Sequence, residues 1–122
     1  MIQLRILGRV ISKKNNRNLF MRNGRQMNLP NKAYKAFEES ALQQLKFNTM
    51  TTPTITTPVW VAYEFNIKGK LDIDIDNAMA SINDILQKSG IIEDDAQIVQ
   101  GSFIKRRGQK DWETKISINE VQ

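Results

Sequence analysis

Apolar and polar residues alternate at several places along the chain, and helical spacing replaces that alternation at two others. Ile2, Leu4 and Ile6 alternate with polar residues up to Gly8, which predicts a half-buried strand. Val59, Val61, Tyr63 and Phe65 alternate with Trp60, Ala62, Glu64 and Asn66, predicting a strand over 58–67 that Gly69 ends. Segments 97–105 and 112–119 read as two further strands, joined across 106–111 as a hairpin with Gly108 in the turn. Tyr34, Phe37, Ala41, Leu42 and Leu45 recur every three or four residues, the stripe of an amphipathic helix that Asn31 caps. A second stripe, Ile75, Met79, Ile82, Ile85 and Leu86, predicts a helix over 77–89 with Gly90 as its C-terminal cap. Both stripes are core-facing by pattern. Between the first strand and the first helix, Asn23-Gly24 is a turn signal that would pair 18–21 with 25–28. The threonine-rich segment 48–57 reads as a connector.

Strands and helices in this order make an α+β (mixed α/β) chain with two main helices. At 122 residues, positions 1–122 form a single domain large enough to bury a core without staples. The chain has no cysteine and no histidine. That excludes a disulfide framework, a thiolate nucleophile, a histidine general base and a Cys/His zinc site. No apolar run approaches the ~18 residues of a membrane span, and the N-terminus lacks a signal-peptide layout, so no membrane role and a cytoplasmic location are expected.

Charge changes the picture more. The net charge is +5, but residues 1–50 hold ten Lys or Arg against two acids, and residues 51–122 hold eight against eleven. The basic half points to a polyanion. Lys13, Lys14, Asn15, Asn16, Arg17, Arg22 and Arg25 cluster beside Phe20, and Lys105, Arg106, Arg107 and Lys110 form a second cluster at the expected hairpin tip. Cations beside an aromatic suit phosphate and base contacts, so these residues are the candidate DNA-binding set. Phe20 as a plain core anchor, and the lysines as solvated surface, are the alternatives.

Against this basic background stands an acidic stretch. Asp72, Asp74 and Asp76 alternate with Leu71, Ile73 and Ile75, and a second acidic group, Glu93, Asp94 and Asp95, follows the helix. In extended chain the three aspartates project to one face while the apolar residues turn to the core. Like charges so placed destabilise the fold unless neutralised, and all-oxygen donors favour Mg2+ or Mn2+. Asp76 alone is equally explained as a helix N-cap. A calcium loop counted from Asp72 requires glycine at its sixth position and glutamate at its twelfth, where Asn77 and Asn83 stand, so it is excluded. A helix over 77–89 rises about 20 Å. Residues 90–95 retrace at most about 17 Å. Asp95 therefore joins the other aspartates either within one taut chain or from a second subunit.

The block D-I-D-N at 74–77, a helix, Gly90, an apolar pair, and D-D-A-Q-I-V at 94–99 resembles the RusA group of Holliday junction resolvases, and S-K-K-N-N-R at 12–17 resembles that family's basic asparagine-containing loop. The resemblance implies an intertwined homodimer with a mixed sheet and flanking helices, from a bacterium, phage or prophage. It implies a magnesium-dependent endonuclease (manganese substituting) acting on branched DNA in recombination and repair. It implies Asp74, Asp76 and Asp95 as metal-binding catalytic carboxylates, with Asp72 accessory. One position departs: the family's functional lysine, one helical turn after the second aspartate, is replaced by Ala80. Lys13, Lys14 and Lys70 are candidates to supply that cation. The rival expectations are a non-enzymatic junction-binding protein and a metal-stabilised structural protein.

Overall fold

The computed structural model describes residues 1–13, 17–22, 25–30 and 32–121, with backbone alone for 17–22 and 25–30. Among the described residues six strands and three α-helices follow one another as β1 (Ile2–Leu7), β2 (Arg17–Arg22), β3 (Arg25–Pro30), α1 (Lys32–Gln44), α2 (Lys46–Thr51), β4 (Val59–Lys68), α3 (Ile75–Lys88), β5 (Ile98–Gln109) and β6 (Glu113–Glu120). A 3-10 turn, Asp95–Gln97, precedes β5. The α+β class is as the pattern predicts, and the mixed sheet is as the resemblance implies.

The main sheet runs in the order β1-β6-β4-β5. β6 lies antiparallel between β1 and β4, whereas β5 runs parallel to β4 at the edge. The expected hairpin of the last two strands is therefore wrong: the two flank β4 on opposite sides. Val59, Val61, Tyr63, Phe65 and Ile67 carry buried apolar side chains that a central strand can place against neighbours on both sides. β5 also runs on to Gln109, so Lys105, Arg106 and Arg107 lie within a strand rather than at a hairpin tip.

One core cluster joins the odd-numbered face of β4 to Leu4, Ile6, Ile116 and Ile118 of the sheet and to both long helices. Tyr34, Phe37 and Ala41 of α1 and Ala78, Ile82, Ile85 and Leu86 of α3 are buried there, as their stripes require. Gln44 fastens α1 to the end of β1, accepting from Leu7 N at 2.7 Å and donating to Leu7 O at 2.9 Å. The opposite sheet face carries a ladder of ion pairs, Arg5–Glu113–Lys115–Glu64–Arg106, across all four strands.

Two shorter differences concern helices. α2 occupies part of the segment read as a connector; it packs no buried residue, which explains its weak apolar signal. α3 begins at Ile75 with Asp74 as its N-cap, so Asp76 lies in the first turn and not at the cap expected for it. The chain leaves α3 as expected at Gly90, whose φ of +81° lets Gly90 N reach Gln87 O at 3.0 Å and Ile91 N reach Leu86 O at 3.1 Å. β2 and β3 pair antiparallel as expected, with Arg22 opposite Arg25, so that 18–21 face 26–29, one residue on from the expected 25–28. Asn23, Gly24 and the expected cap Asn31 lie outside the described residues.

Candidate active site

The acidic stretch does not stay extended. Residues 71–74 lead irregularly into α3, and the helix starting at Ile75 breaks the alternation that would have aligned the three aspartates. Leu71, expected inward, is 43% exposed, while Ile73 and Ile75 pack partly against the core. Asp74 is exposed at the N-cap; its carbonyl accepts from Ala78 N at 2.9 Å and its carboxylate makes no capping bond. Asn77 Nδ2 lies 3.5 Å from Asp74 Oδ2. Asp76 is exposed in the first turn, where the helix dipole favours negative charge.

Asp72 is occupied differently. Its carboxylate pairs with Lys105 at 3.0 Å and lies 3.8 Å from Arg107, while Oδ1 accepts from Ile73 N at 2.8 Å. The hydrogen bond from Lys105, then that from the Ile73 amide, holds this carboxyl below its ordinary range.

The second acidic group divides its work by position. Asp94 caps the 3-10 turn, accepting from Ala96 N at 2.9 Å, and Gln97 Oε1 answers by accepting from Glu93 N and Asp94 N at 2.7 and 2.8 Å. Gln97 Nε2 donates to Ile55 O and Thr57 O, tying the turn to the chain ahead of β4. Asp95 keeps its carboxylate out of that capping network, and its amide donates to Gln87 Oε1 of α3 at 3.0 Å.

Asp95 also borders a cavity of about 300 Å³ between α3 and β5, with Met79, Asn83, Tyr63, Gln100 and Phe103 among its walls. The Tyr63 hydroxyl donates to Asn83 Oδ1 at 2.5 Å. Burial, opposed by that hydrogen bond and reinforced by the charge of Asp95, pushes Tyr63 up to about 12, so it is a protonated donor at neutral pH. Asp76, Asn83 and Gln87 recur at spacings of seven and four, which places them on one side of α3. Asp95 packs beside the Asn83 and Gln87 levels of that side, and Asp76 stands about 10 Å further toward the N-terminus at 1.5 Å per residue from Asn83. Pattern reading missed Gln87, Asn83 and Tyr63; neutral polar residues carry no charge signal, although Asn83 and Gln87 follow Asp76 at helical spacing. No group of three or more Asp or Glu side chains among the described residues is gathered closely enough to hold a metal ion. Carboxylate oxygens are nevertheless the donors that magnesium and manganese prefer.

Among the candidate DNA contacts whose side chains are described, Lys13, Lys105, Arg106 and Arg107 are engaged within the protein. Lys13 Nζ pairs with Asp84 at 2.8 Å, and its amide donates to Ser81 Oγ at 3.0 Å. Lys105 and Arg107 hold the 70–73 segment, and Arg106 pairs with Glu64. Lys110 is exposed, as is Lys70. Lys14, Asn15 and Asn16 lie outside the described residues, and so do the side chains of Arg17, Arg22 and Arg25. Ala80 is exposed on α3, one turn after Asp76.

Residues 9–119 match the family model described as endodeoxyribonuclease RusA. The chain belongs to the RusA endodeoxyribonuclease family. Comparison with curated proteins returns no match. The RusA match covers both acidic groups, α3 between them and all of β5. No helix among the described residues is long and apolar enough to cross a membrane.

Proposed function

We propose that this RusA-family chain is a magnesium-dependent, structure-specific endodeoxyribonuclease that resolves four-way DNA junctions by paired nicking as a homodimer in a bacterial or phage-infected cytoplasm. The observation that carries the reading is the placement of two exposed carboxylates, Asp74 and Asp76, at the start of a helix whose other half Asp95 flanks. Asp74, Asp76 and Asp95 are the residues that would hold the metal, with manganese as a substitute. When bound, such an ion supplies Lewis acidity toward the phosphate and an activated water. The residues themselves present carboxylate oxygens along α3 and the turn beside it in a chain without histidine or cysteine, and protonated Tyr63 offers its neighbour Asn83 a fixed orientation beside Asp95. Lys110, Lys70 and the basic 13–25 segment supply cations for the DNA backbone.

Two opposed strands must be cut, so two copies of the site are required, and a two-fold dimer provides them. β5 supports that assembly. It is an edge strand, its residues 99–108 are exposed, and they include Val99, Phe103 and Ile104 at about half exposure or more. An edge of this length with apolar side chains invites pairing with a second copy.

The test is cleavage of a synthetic four-way junction under a magnesium titration. Asp74→Asn and Asp95→Asn are expected to bind the junction and to lose cleavage by at least ~10²-fold, the scale of lost charge stabilisation at such sites. Normal cutting by either variant overturns the assignment. Ala80 favours one second reading, junction binding without turnover; it predicts binding by the unaltered chain with no nicking at any magnesium concentration.

A further inference from the structure

The segment between β4 and α3 has no regular secondary structure, yet β5 holds it at nearly every residue. Lys105 Nζ donates to Ile73 O at 3.2 Å and pairs with Asp72 Oδ1 at 3.0 Å. Arg107 donates from Nε to Leu71 O at 3.3 Å and from Nη2 to Lys70 O at 3.2 Å, with Asp72 Oδ2 at 3.8 Å. The segment's first residue is pinned by backbone, Gly69 N to Gln109 O and Gly108 N to Gly69 O, both at 3.0 Å. Lys105 and Arg107 alternate in β5 and project from the same sheet face. Asp72 is the single carboxylate between them, and Asp74 follows two residues later as the N-cap of α3.

The geometry points to Lys105 and Arg107 as positioning residues that set the place of the Asp74 carboxylate, with Asp72 as the counter-ion of this latch and not a metal ligand. The inference rests on the reading of Asp74 as a metal-holding residue. Both cations remain partly wet, with side-chain exposures of 29% for Lys105 and 53% for Arg107. Wet ion pairs contribute little to global stability. Four hydrogen bonds into one short segment restrict where its end can lie, and partners that orient a ligand from outside typically carry ~10–100-fold in metal affinity. Asp72 cannot turn toward a metal beside Asp74 without leaving both cations.

Manganese binding to the full chain without DNA, measured by calorimetry, tests this beside junction cleavage as a function of manganese. Lys105→Gln and Asp72→Asn are each expected to weaken manganese binding ~10-fold and to raise the half-activating concentration equally. Melting temperature is unchanged, Lys105→Arg restores binding, and the double variant is no worse than either single one. Amide exchange at residues 70–74 accelerates in Lys105→Gln. Two results overturn the latch: Asp72→Asn losing cleavage at every manganese concentration while Lys105→Gln behaves as the unaltered chain, or unchanged exchange and manganese affinity in both. If the unaltered chain neither binds manganese nor cuts, the metal-holding reading of Asp74 fails instead, and accelerated exchange still registers the latch itself.

Discussion

Gly101 sits where β5 meets β4 across from Val61, and a Cβ there would lie 2.1 Å from the Val61 carbonyl oxygen. The obstacle is backbone of the central strand, so it cannot swing aside as a side chain would. The pairing register already slips between Val59 and Trp60, just before this contact. Gly101→Ala is expected to destabilise the chain at the upper end of the ~1–3 kcal/mol typical of overpacking, read as a lowered urea midpoint. The same variant should disturb Asp95, because the 3-10 turn that carries it runs directly into β5. Nothing in the pattern around Gly101 announces this role. A glycine in a strand signals only some close approach, and the partner that makes it close is forty residues away.

At the scale of elements, Asp84 links three segments that sequence order keeps apart. Its carboxylate accepts from Lys13 Nζ at 2.8 Å and from the Tyr34 hydroxyl at 2.6 Å, and lies 3.3 Å from Lys88. Burial alone would raise this carboxyl, but the hydrogen bonds from Lys13 and Tyr34 and the nearby positive charges outweigh it and hold the group below its ordinary range. A depressed folded-state value means that the contribution to stability is present above the unfolded value of about 4 and is lost as pH falls through the folded one. Melting curves should therefore show Asp84→Asn less stable than the unaltered chain at pH 7, with the gap closing on acidification below about pH 4. A gap that stays constant with pH would remove the carboxylate's charge from the account. The helices joined here were legible from their apolar stripes. The junction was not, since Asp84 reads as one more polar residue on a wet face until Tyr34 and Lys13 are brought to it. The same holds for the D-D-A-Q run: its acidity suggested metal, whereas its first aspartate and its glutamine build the turn and leave Asp95 to face α3.

For the whole molecule, the open edge and two exposed faces of β5 lead to a prediction about assembly. Sedimentation at micromolar concentration should show a dimer, and Val99→Lys or Phe103→Lys should shift it to monomer by placing charge in the apolar contact. Such variants are expected to nick one strand of a junction instead of cutting two in concert. A monomeric unaltered chain that still cuts in pairs would refute pairing along β5.

Periodicity alone determined the α+β class, the identity of the core-facing residues in both long helices and the central strand, and the neighbourhood of the acidic stretch. Those properties follow from local spacing, because a side chain's direction in a helix or strand depends only on its own few neighbours. Tertiary structure decided what depends on distant partners. β6 entered between β1 and β4 and sent β5 to the edge, which turned an expected hairpin tip into a strand whose Lys105 and Arg107 grip the 70–73 segment. The helix dipole and the buried stripe drew the start of α3 back to Ile75, dividing three evenly spaced aspartates into a latched Asp72 and an exposed pair, Asp74 and Asp76. Charge in a sequence has position but no partner, and the fold supplies the partners.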